Sequence, residues 1–183
     1  LPEAQLGYSR MLVQDQTGAV KVNPAASLAA EGSRIVLQGT LIHPDGLEPA
    51  LAQITHLVAL QTVQMLPQPL SVTLASLPRS GGRPNNLLAR VLVINGAVVQ
   101  ADGRIDSGKG WLEFRVVDAS TQEPWTIRVW KSLGVTLSDL PVAGQELPLR
   151  CSLARNGIFG GNILEILRPE DLVVPPKAVP SPG

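Results

Sequence analysis

The arrangement of apolar residues constrains the fold of this chain more than any other feature of its sequence. Apolar residues alternate with polar ones or form short β-branched runs, and the spacing expected of an amphipathic helix is nearly absent. Clusters of Gly, Pro, Asn and Asp separate these runs, and the 183 residues include 17 glycines and 16 prolines. Short apolar runs interrupted by turn-forming residues predict an all-β protein.

The first half of the chain is predicted to form two hairpins with one short helix between them. Asn23 and Pro24 provide an N-cap and a proline at the first helical position, and Gly32 ends the helix. The predicted elements are strands at residues 11–14, 19–22, 34–42 and 51–60, and a helix at residues 25–30.

The second half repeats this order with longer loops. Its first strand is predicted to bend at Gly96, because a glycine inside a strand often marks a bend in a barrel. The predicted strands are residues 87–100, 111–118, 125–130, 146–154 and 162–167, with 131–140 as a mostly non-strand connection. Similar segments occur in the same order in both halves: 11–15 with 114–118, 19–22 with 126–129, and 31–37 with 143–149. The sequence therefore predicts a tandem repeat.

These short strands, the small helix between the third and fourth, and the hairpins that join them resemble the OB-fold (oligonucleotide/oligosaccharide-binding fold). Residues 11–22, 31–40 and 69–74 are more narrowly similar to the tandem OB repeats that precede catalytic domains in bacterial secreted nucleases. The first half resembles strands two to five of such a unit, with its first strand before Leu1 or missing. The resemblance implies two tandem, small, five-stranded OB-type β-barrels, the first incomplete at its N-terminus.

Proline-rich segments suggest where the units begin and end. Pro67 and Pro69 make the segment between the halves extended and semi-stiff, and four prolines fall within the last nine residues. The predicted organisation is a first OB-like domain at 1–65, a linker at 66–78, a second OB-like domain at 79–174 and a Pro-rich tail at 175–183.

Catalytic and metal-binding patterns are missing from the sequence. The histidines, His43 and His56, have no carboxylate or third ligand at a recognisable spacing, and no nucleophile or phosphate-loop motif occurs. Cys151 is the single cysteine, which excludes an internal disulfide, and its apolar strand predicts a buried thiol. We therefore expect no enzyme, metal or cofactor. No apolar run reaches a membrane span, so no membrane partner is expected, and the compartment stays open between secreted and cytoplasmic.

A candidate ligand face follows from the resemblance, because OB-type barrels hold ligands across their second and third strands. With Leu112, Phe114 and Val116 pointing inward, alternation places four side chains on one outward face that we expect to be exposed: Trp111, Arg115, Arg128 and Trp130. Trp125 is instead predicted to lie in the core. Loop residues that could close over a ligand are Lys109, Arg155, Asn156 and Phe159, and Lys21 occupies the position of Arg128 in the first unit.

Two indoles and two guanidiniums suit single-stranded nucleic acid, whose bases stack on rings and whose phosphates pair with Arg. We therefore expect a non-catalytic module that binds single-stranded nucleic acid, most simply DNA, through the second barrel. The formal net charge of zero gives this little electrostatic support. The alternative is a protein-interaction or spacer module, with a protein partner or a homo-oligomer, inside a larger DNA-processing or secreted protein.

Overall fold

The computed structural model describes residues 11–14, 19–22, 33–42, 50–62, 68–80, 87–156 and 161–172. These residues form eleven strands joined by turns and short 3-10 segments, so the all-β prediction is confirmed. The strands are β1 (Met11–Gln14), β2 (Ala19–Val22), β3 (Ser33–Ile42), β4 (Ala50–Thr62), β5 (Leu70–Val72), β6 (Val91–Val99), β7 (Ile105–Asp106), β8 (Trp111–Asp118), β9 (Thr121–Trp130), β10 (Glu146–Arg155) and β11 (Asn162–Ile166). Within the described residues, no helix is long and apolar enough to cross a membrane.

The second half of the chain forms a closed five-stranded barrel. Its sheet has the order β5-β6-β10-β11-β9-β8-β7, and an additional pairing of β6 with β8 closes the ring. β9 and β11 run parallel, whereas the other neighbouring barrel strands are antiparallel. Closure leaves no unpaired edge among the five barrel strands. A second closed barrel is not found among the described residues.

Alternation along the barrel strands fills the core as predicted. Leu112, Phe114 and Val116 point inward from β8 and are at most 1% exposed, and Trp125 lies in the same core. Cys151 is also fully buried, which confirms the prediction of a core thiol. Burial of one such large apolar side chain contributes roughly 1.5–3 kcal/mol.

Gly96 allows β6 to pair with β8 as well as with β10. Its φ of +70° is a left-handed conformation that glycine adopts without steric cost. The ladder between β6 and β10 shifts register between Leu147 and Leu149, opposite this glycine. Beyond the bend, Val98 and Val99 pair with β8 and close the barrel. The predicted bend is therefore confirmed, and closure follows from it.

Part of the segment predicted to be a linker packs on the barrel. Strand β5 runs parallel to β6, and Leu74 and Leu77 enter the core with 1% and 5% exposure. The backbone N–H of Leu74 donates to Asp118 Oδ2 at 2.8 Å. Residues 70–77 therefore pack on the barrel and are not a free spacer, whereas Pro67 of the predicted linker lies outside the described residues.

The first half of the chain forms a separate four-stranded sheet of order β1-β2-β4-β3. β2 and β4 are parallel, and the other two pairs are antiparallel. This is the order and direction of β8-β9-β11-β10 in the barrel. No counterpart of β6 lies among the described residues. The helix predicted at 25–30 lies outside them.

Candidate nucleic-acid interface

The outer face of β8 and β9 carries the side chains that the alternation placed there. Trp111 is paired with Trp130, Glu113 with Arg128, and Arg115 with Thr126. Their neighbours along each strand enter the core, so these six side chains lie on the opposite side of the sheet. The predicted orientation is confirmed.

Three of these side chains form a compact indole cluster, which we define as Trp111, Arg128 and Trp130. The two rings meet edge to face, with centroids 5.6 Å apart and an interplanar angle of 69°. The Arg128 guanidinium carbon lies 4.4 Å from the Trp111 centroid and 6.0 Å from that of Trp130. Both distances are within the range of cation–π attraction. The guanidinium therefore already occupies a ring face that a base would need for stacking.

Glu113 neutralises the cation of the indole cluster. Its Oε1 accepts hydrogen bonds from Arg128 Nη2 at 2.9 Å, Arg128 Nε at 3.2 Å and Trp111 Nε1 at 2.8 Å. Asn156 Oδ1 accepts a longer bond from Arg128 Nη2, at 3.4 Å. One carboxylate thus fixes an indole and a guanidinium together, and little of the Arg128 charge is left for an incoming phosphate.

Glu165 joins the indole cluster to the first sheet. It is paired with Arg128 across the parallel β9–β11 ladder, and its Oε1 accepts from Trp130 Nε1 at 3.3 Å. Its Oε2 lies 2.6 Å from Lys21 Nζ, which comes from β2, and both side chains are 8% exposed. Sequence reasoning missed Glu165, because only the long-range pairing of β9 with β11 places it beside the predicted residues.

The prediction that this whole face is exposed is wrong. Trp111 is 8% exposed and Arg128 is 6% exposed, whereas Trp130 is half-buried. Lys21 reaches this face from β2, and Gln14 Oε1 at the end of β1 accepts from the Val91 backbone N–H at 3.0 Å. Trp111 and Arg128 are thus covered in part by each other and by Glu113, and Glu165 on the neighbouring strand is covered by Lys21 of the first sheet.

Lys21 does not serve a ligand face of the first unit, as its match with Arg128 suggested. It is 6% exposed and makes a buried ion pair with the second unit. The outward face of β1 and β2 is the face that contacts the barrel, because Gln14 and Lys21 both point from it. The first sheet thus contacts the barrel through Gln14 and Lys21.

Three exposed cations lie on β8 or within two residues of an end of β8 or β9, and we define them as the basic rim: Lys109, Arg115 and Lys131. Arg115 Nη1 lies 3.1 Å from Asp102 Oδ2, and Lys131 Nζ lies 2.7 Å from Asp106 Oδ2. The hydrogen bonds from Lys131 and from the Gly108 backbone lower the pKa of Asp106. Sequence reasoning missed Lys131, although its position directly after Trp130 was a usable signal.

The predicted loop residues are only partly brought to this face. Arg155 and Asn156 are half-buried at the end of β10, and Asn156 contacts Arg128. Phe159 lies outside the described residues. In the same described part of the chain, no group of three or more His, Cys, Asp or Glu side chains could hold a metal ion.

Comparisons with protein-family models, with curated proteins and with solved structures found no match to this chain.

Proposed function

We propose that this chain is a non-catalytic module that binds single-stranded nucleic acid, most simply DNA, across the outer face of β8 and β9. The observation that carries the proposal is that the half-buried Trp130 and the three exposed cations of the basic rim lie on or beside the same two strands. The ring order β6-β8-β9-β11-β10, with β9 and β11 parallel, supports an OB-type barrel, in which this is the ligand face. The first sheet then corresponds to four strands of a second such unit.

The residues of the face take different roles because their burial differs. Trp111 and Arg128 are sealed and contact Trp130, and the half-buried Trp130 is the indole of the cluster on which we expect a base to stack. The basic rim supplies the contacts to phosphates. Arg115 and Lys131 form ion pairs with Asp102 and Asp106, and both pairs are exposed. Exposed ion pairs contribute so little to stability that a phosphate can replace the carboxylate.

The expected affinity is modest. One accessible indole contributes about 1–3 kcal/mol of stacking per base, and non-specific binding is typically about 1–100 µM at physiological salt. With three rim cations, the logarithm of the association constant should fall with the logarithm of the salt concentration with a slope of about −2. A much steeper slope would require cations beyond those of the basic rim.

A titration with labelled single-stranded DNA at two salt concentrations, followed by Trp emission, tests this proposal. Replacing Lys109, Arg115 and Lys131 together with Gln should weaken binding at least about tenfold and flatten the salt slope. Arg34→Gln is the matched control, since it removes an exposed cation on β3, in the other sheet. Absence of binding at low salt, or an equal loss in the Arg34 variant, would contradict the proposal.

Self-association is the second candidate function, and an exposed apolar patch favours it. Val36 and Val58 lie directly opposite each other across β3 and β4, with 51% and 38% exposure, and Leu60 beyond them is 58% exposed. Because the formal net charge is zero, no overall charge repulsion opposes the association of two copies of this chain. The occupant we infer for the patch is a second copy of the chain.

Sedimentation velocity over a range of protein concentrations tests the second candidate. The wild type should form a reversible dimer, and the double variant Val36→Thr, Leu60→Thr should stay monomeric, since threonine keeps the strand propensity and removes apolar surface. Val142→Thr is the control, because Val142 is 49% exposed at the start of the turn before β10. A monomeric wild type at all concentrations excludes this candidate.

A further inference from the structure

We propose that the first sheet controls the nucleic-acid face of the barrel through Lys21. In this inference Lys21 is a positioning residue: it neutralises Glu165, and Glu165 in turn holds Trp130 ready for a base. The inference rests on the proposed function, because it concerns the regulation of the same face. Its consequence is that the face is composite, with its stacking ring on the barrel and a required cation on the first sheet.

The position of Glu165 is the first step. Its neighbours on β11, Leu164 and Ile166, enter the barrel core, so Glu165 points outward. It is paired with Arg128 across the parallel ladder between β9 and β11. A charge on Glu165 therefore lies one strand away from the guanidinium of the indole cluster, on the side of the sheet where we expect a phosphate to arrive.

The two oxygens of Glu165 serve different partners. Oε1 accepts from Trp130 Nε1 at 3.3 Å, and Oε2 lies 2.6 Å from Lys21 Nζ. Because the two oxygens belong to one rigid carboxylate, a change at Oε2 also moves the acceptor at Oε1. The ion pair with the first sheet thus fixes the polar edge of the indole on which a base is expected to stack.

Charge balance is the next step. Two carboxylates lie on this outer side, and Arg128 already donates through two nitrogens to one of them, Glu113. Ser152, which is paired with Glu165 on β10, is neutral, and its Oγ has no hydrogen-bond partner within the part of the chain that the structure describes. Lys21 supplies a positive charge to Glu165 from the other sheet.

Loss of the Lys21 charge should therefore act on ligand binding. Glu165 would then present an unbalanced negative charge beside the face and repel the phosphates of the ligand. Both side chains of the pair are 8% exposed, so dissolved salt screens this charge less than it screens the basic rim. By linkage, docking of the first sheet favours binding, and a bound ligand favours docking of the first sheet to the same extent.

Nuclear magnetic resonance of the ¹⁵N-labelled full chain tests the positioning role without any ligand. Lys21→Met should shift the indole N–H resonance of Trp130, because the carboxylate that accepts from this group has lost its partner. Trp125 lies in the barrel core and is the internal reference, whose resonance should stay in place. Lys21→Arg keeps the cation and should leave the Trp130 resonance close to its wild-type position.

Titration with labelled single-stranded DNA at low salt tests the effect on binding. Lys21→Met should weaken binding about fivefold or more, because one carboxylate near the ligand is no longer neutralised. The double variant Lys21→Met, Glu165→Gln should recover the wild-type affinity within about twofold, since the negative charge is gone and Gln still offers Trp130 an acceptor. Far-UV circular dichroism checks that each variant is folded.

Glu165→Gln keeps the inference testable if Lys21→Met does not fold. This variant removes the negative member of the pair and keeps an acceptor for Trp130, so it should bind DNA at least as tightly as the wild type. Weaker binding by Glu165→Gln would overturn the inference, because a charged carboxylate would then be needed at this position.

Gln14→Ala is the matched control. It removes another contact of the first sheet with the barrel, the hydrogen bond between Gln14 Oε1 and the Val91 backbone N–H at 3.0 Å, and it changes no charge. It should bind DNA like the wild type. Equal weakening by Gln14→Ala and Lys21→Met would overturn the inference, because undocking of the first sheet would then explain both.

The remaining outcomes separate this inference from the proposed function. A wild type that does not bind DNA contradicts the proposed function, and the inference falls with it. A wild type that binds DNA, together with a folded Lys21→Met variant of equal affinity, contradicts the inference alone. A Trp130 resonance that stays in place in Lys21→Met overturns the positioning role whether or not DNA binds.

Discussion

Lys21 Nζ lies 2.6 Å from Glu165 Oε2, in an ion pair that joins β2 of the first sheet to β11 of the barrel. The two residues are 144 positions apart in the sequence. Both side chains are 8% exposed, so neither charge can be solvated well if its partner is lost. Glu165 also accepts from Trp130, so the ion pair connects the packing of the two units to the indole cluster.

Removal of one partner of this pair should destabilise the protein strongly. We expect Lys21→Ala to lower the free energy of unfolding by about 3–5 kcal/mol, because it removes the cation that lies against the buried Glu165 carboxylate. The double variant Lys21→Met, Glu165→Gln should lose less free energy of unfolding than the single variants Lys21→Met and Glu165→Gln lose together. Denaturant unfolding followed by emission of the barrel's tryptophans measures this cycle, and strictly additive effects would contradict the coupling.

Arg128 should not be replaceable by lysine. The guanidinium donates through two nitrogens to Glu113 Oε1 while it stacks on Trp111, and an ammonium cannot do both. We expect Arg128→Lys to cost about 1–3 kcal/mol and to change the near-UV circular dichroism of the indoles. Arg115→Lys is the control, since the exposed Arg115–Asp102 pair should contribute less than about 1 kcal/mol. Equal losses for both variants would contradict this account.

The inward and outward sides of the barrel strands could be predicted from sequence because they depend on local alternation. Phe114 and its alternate neighbours reach the core, and Trp111 and Arg128 lie on the other face, as the period of two requires. Whether an outward side chain is exposed depends instead on what docks there. The contact of Lys21 with Glu165 involves residues too distant in sequence for a local pattern to reveal.

The linker shows a second limit of sequence reasoning. Two prolines predict extended chain, but the pattern around Leu74 and Leu77 is too short to show that these leucines complete the barrel core. Only the resemblance to the OB-fold could have indicated that β9 and β11 pair in parallel. Pairing partners depend on the topology of the sheet, and the sequence of either strand does not reveal them.

Cys151 should report global unfolding of the barrel. It lies fully buried on β10, and burial, aided by the nearby Asp171 carboxylate, raises the pKa of its thiol well above the usual range. Because the thiolate is the reactive form, we expect modification by a disulfide reagent at mildly alkaline pH to be at least ~10³-fold slower than in the denatured chain. Fast labelling of the native protein would show that the barrel opens locally around β10.

Asp118 should make the barrel sensitive to acid. Burial alone would raise the pKa of this carboxyl, but hydrogen bonds from the Leu74 backbone, from the Ser120 side chain and backbone, and from the Thr121 backbone outweigh it, so the pKa is lowered. The carboxylate ties the segment after β5 to the β8–β9 turn. A carboxyl with a lowered folded-state pKa stabilises the protein above its unfolded pKa. That stabilisation is lost as the pH falls through the folded pKa.

Asp118→Asn should therefore lower stability at neutral pH by about 1–3 kcal/mol, the usual contribution of a hydrogen bond to a charged group. The difference from the wild type should begin to shrink as the pH falls to about 4, the ordinary pKa of the carboxyl in the unfolded chain, and should be lost below the lowered folded-state pKa, where the wild-type side chain is neutral like Asn. Denaturant unfolding at a series of pH values measures this. Asp102→Asn, at an exposed ion pair, serves as the control and should change stability little at any pH. The destabilisation by Asp118→Asn could instead stay constant from neutral to strongly acidic pH. That result would mean that the shape of the Asp118 side chain, and not its charge, holds the Leu74 segment on the barrel.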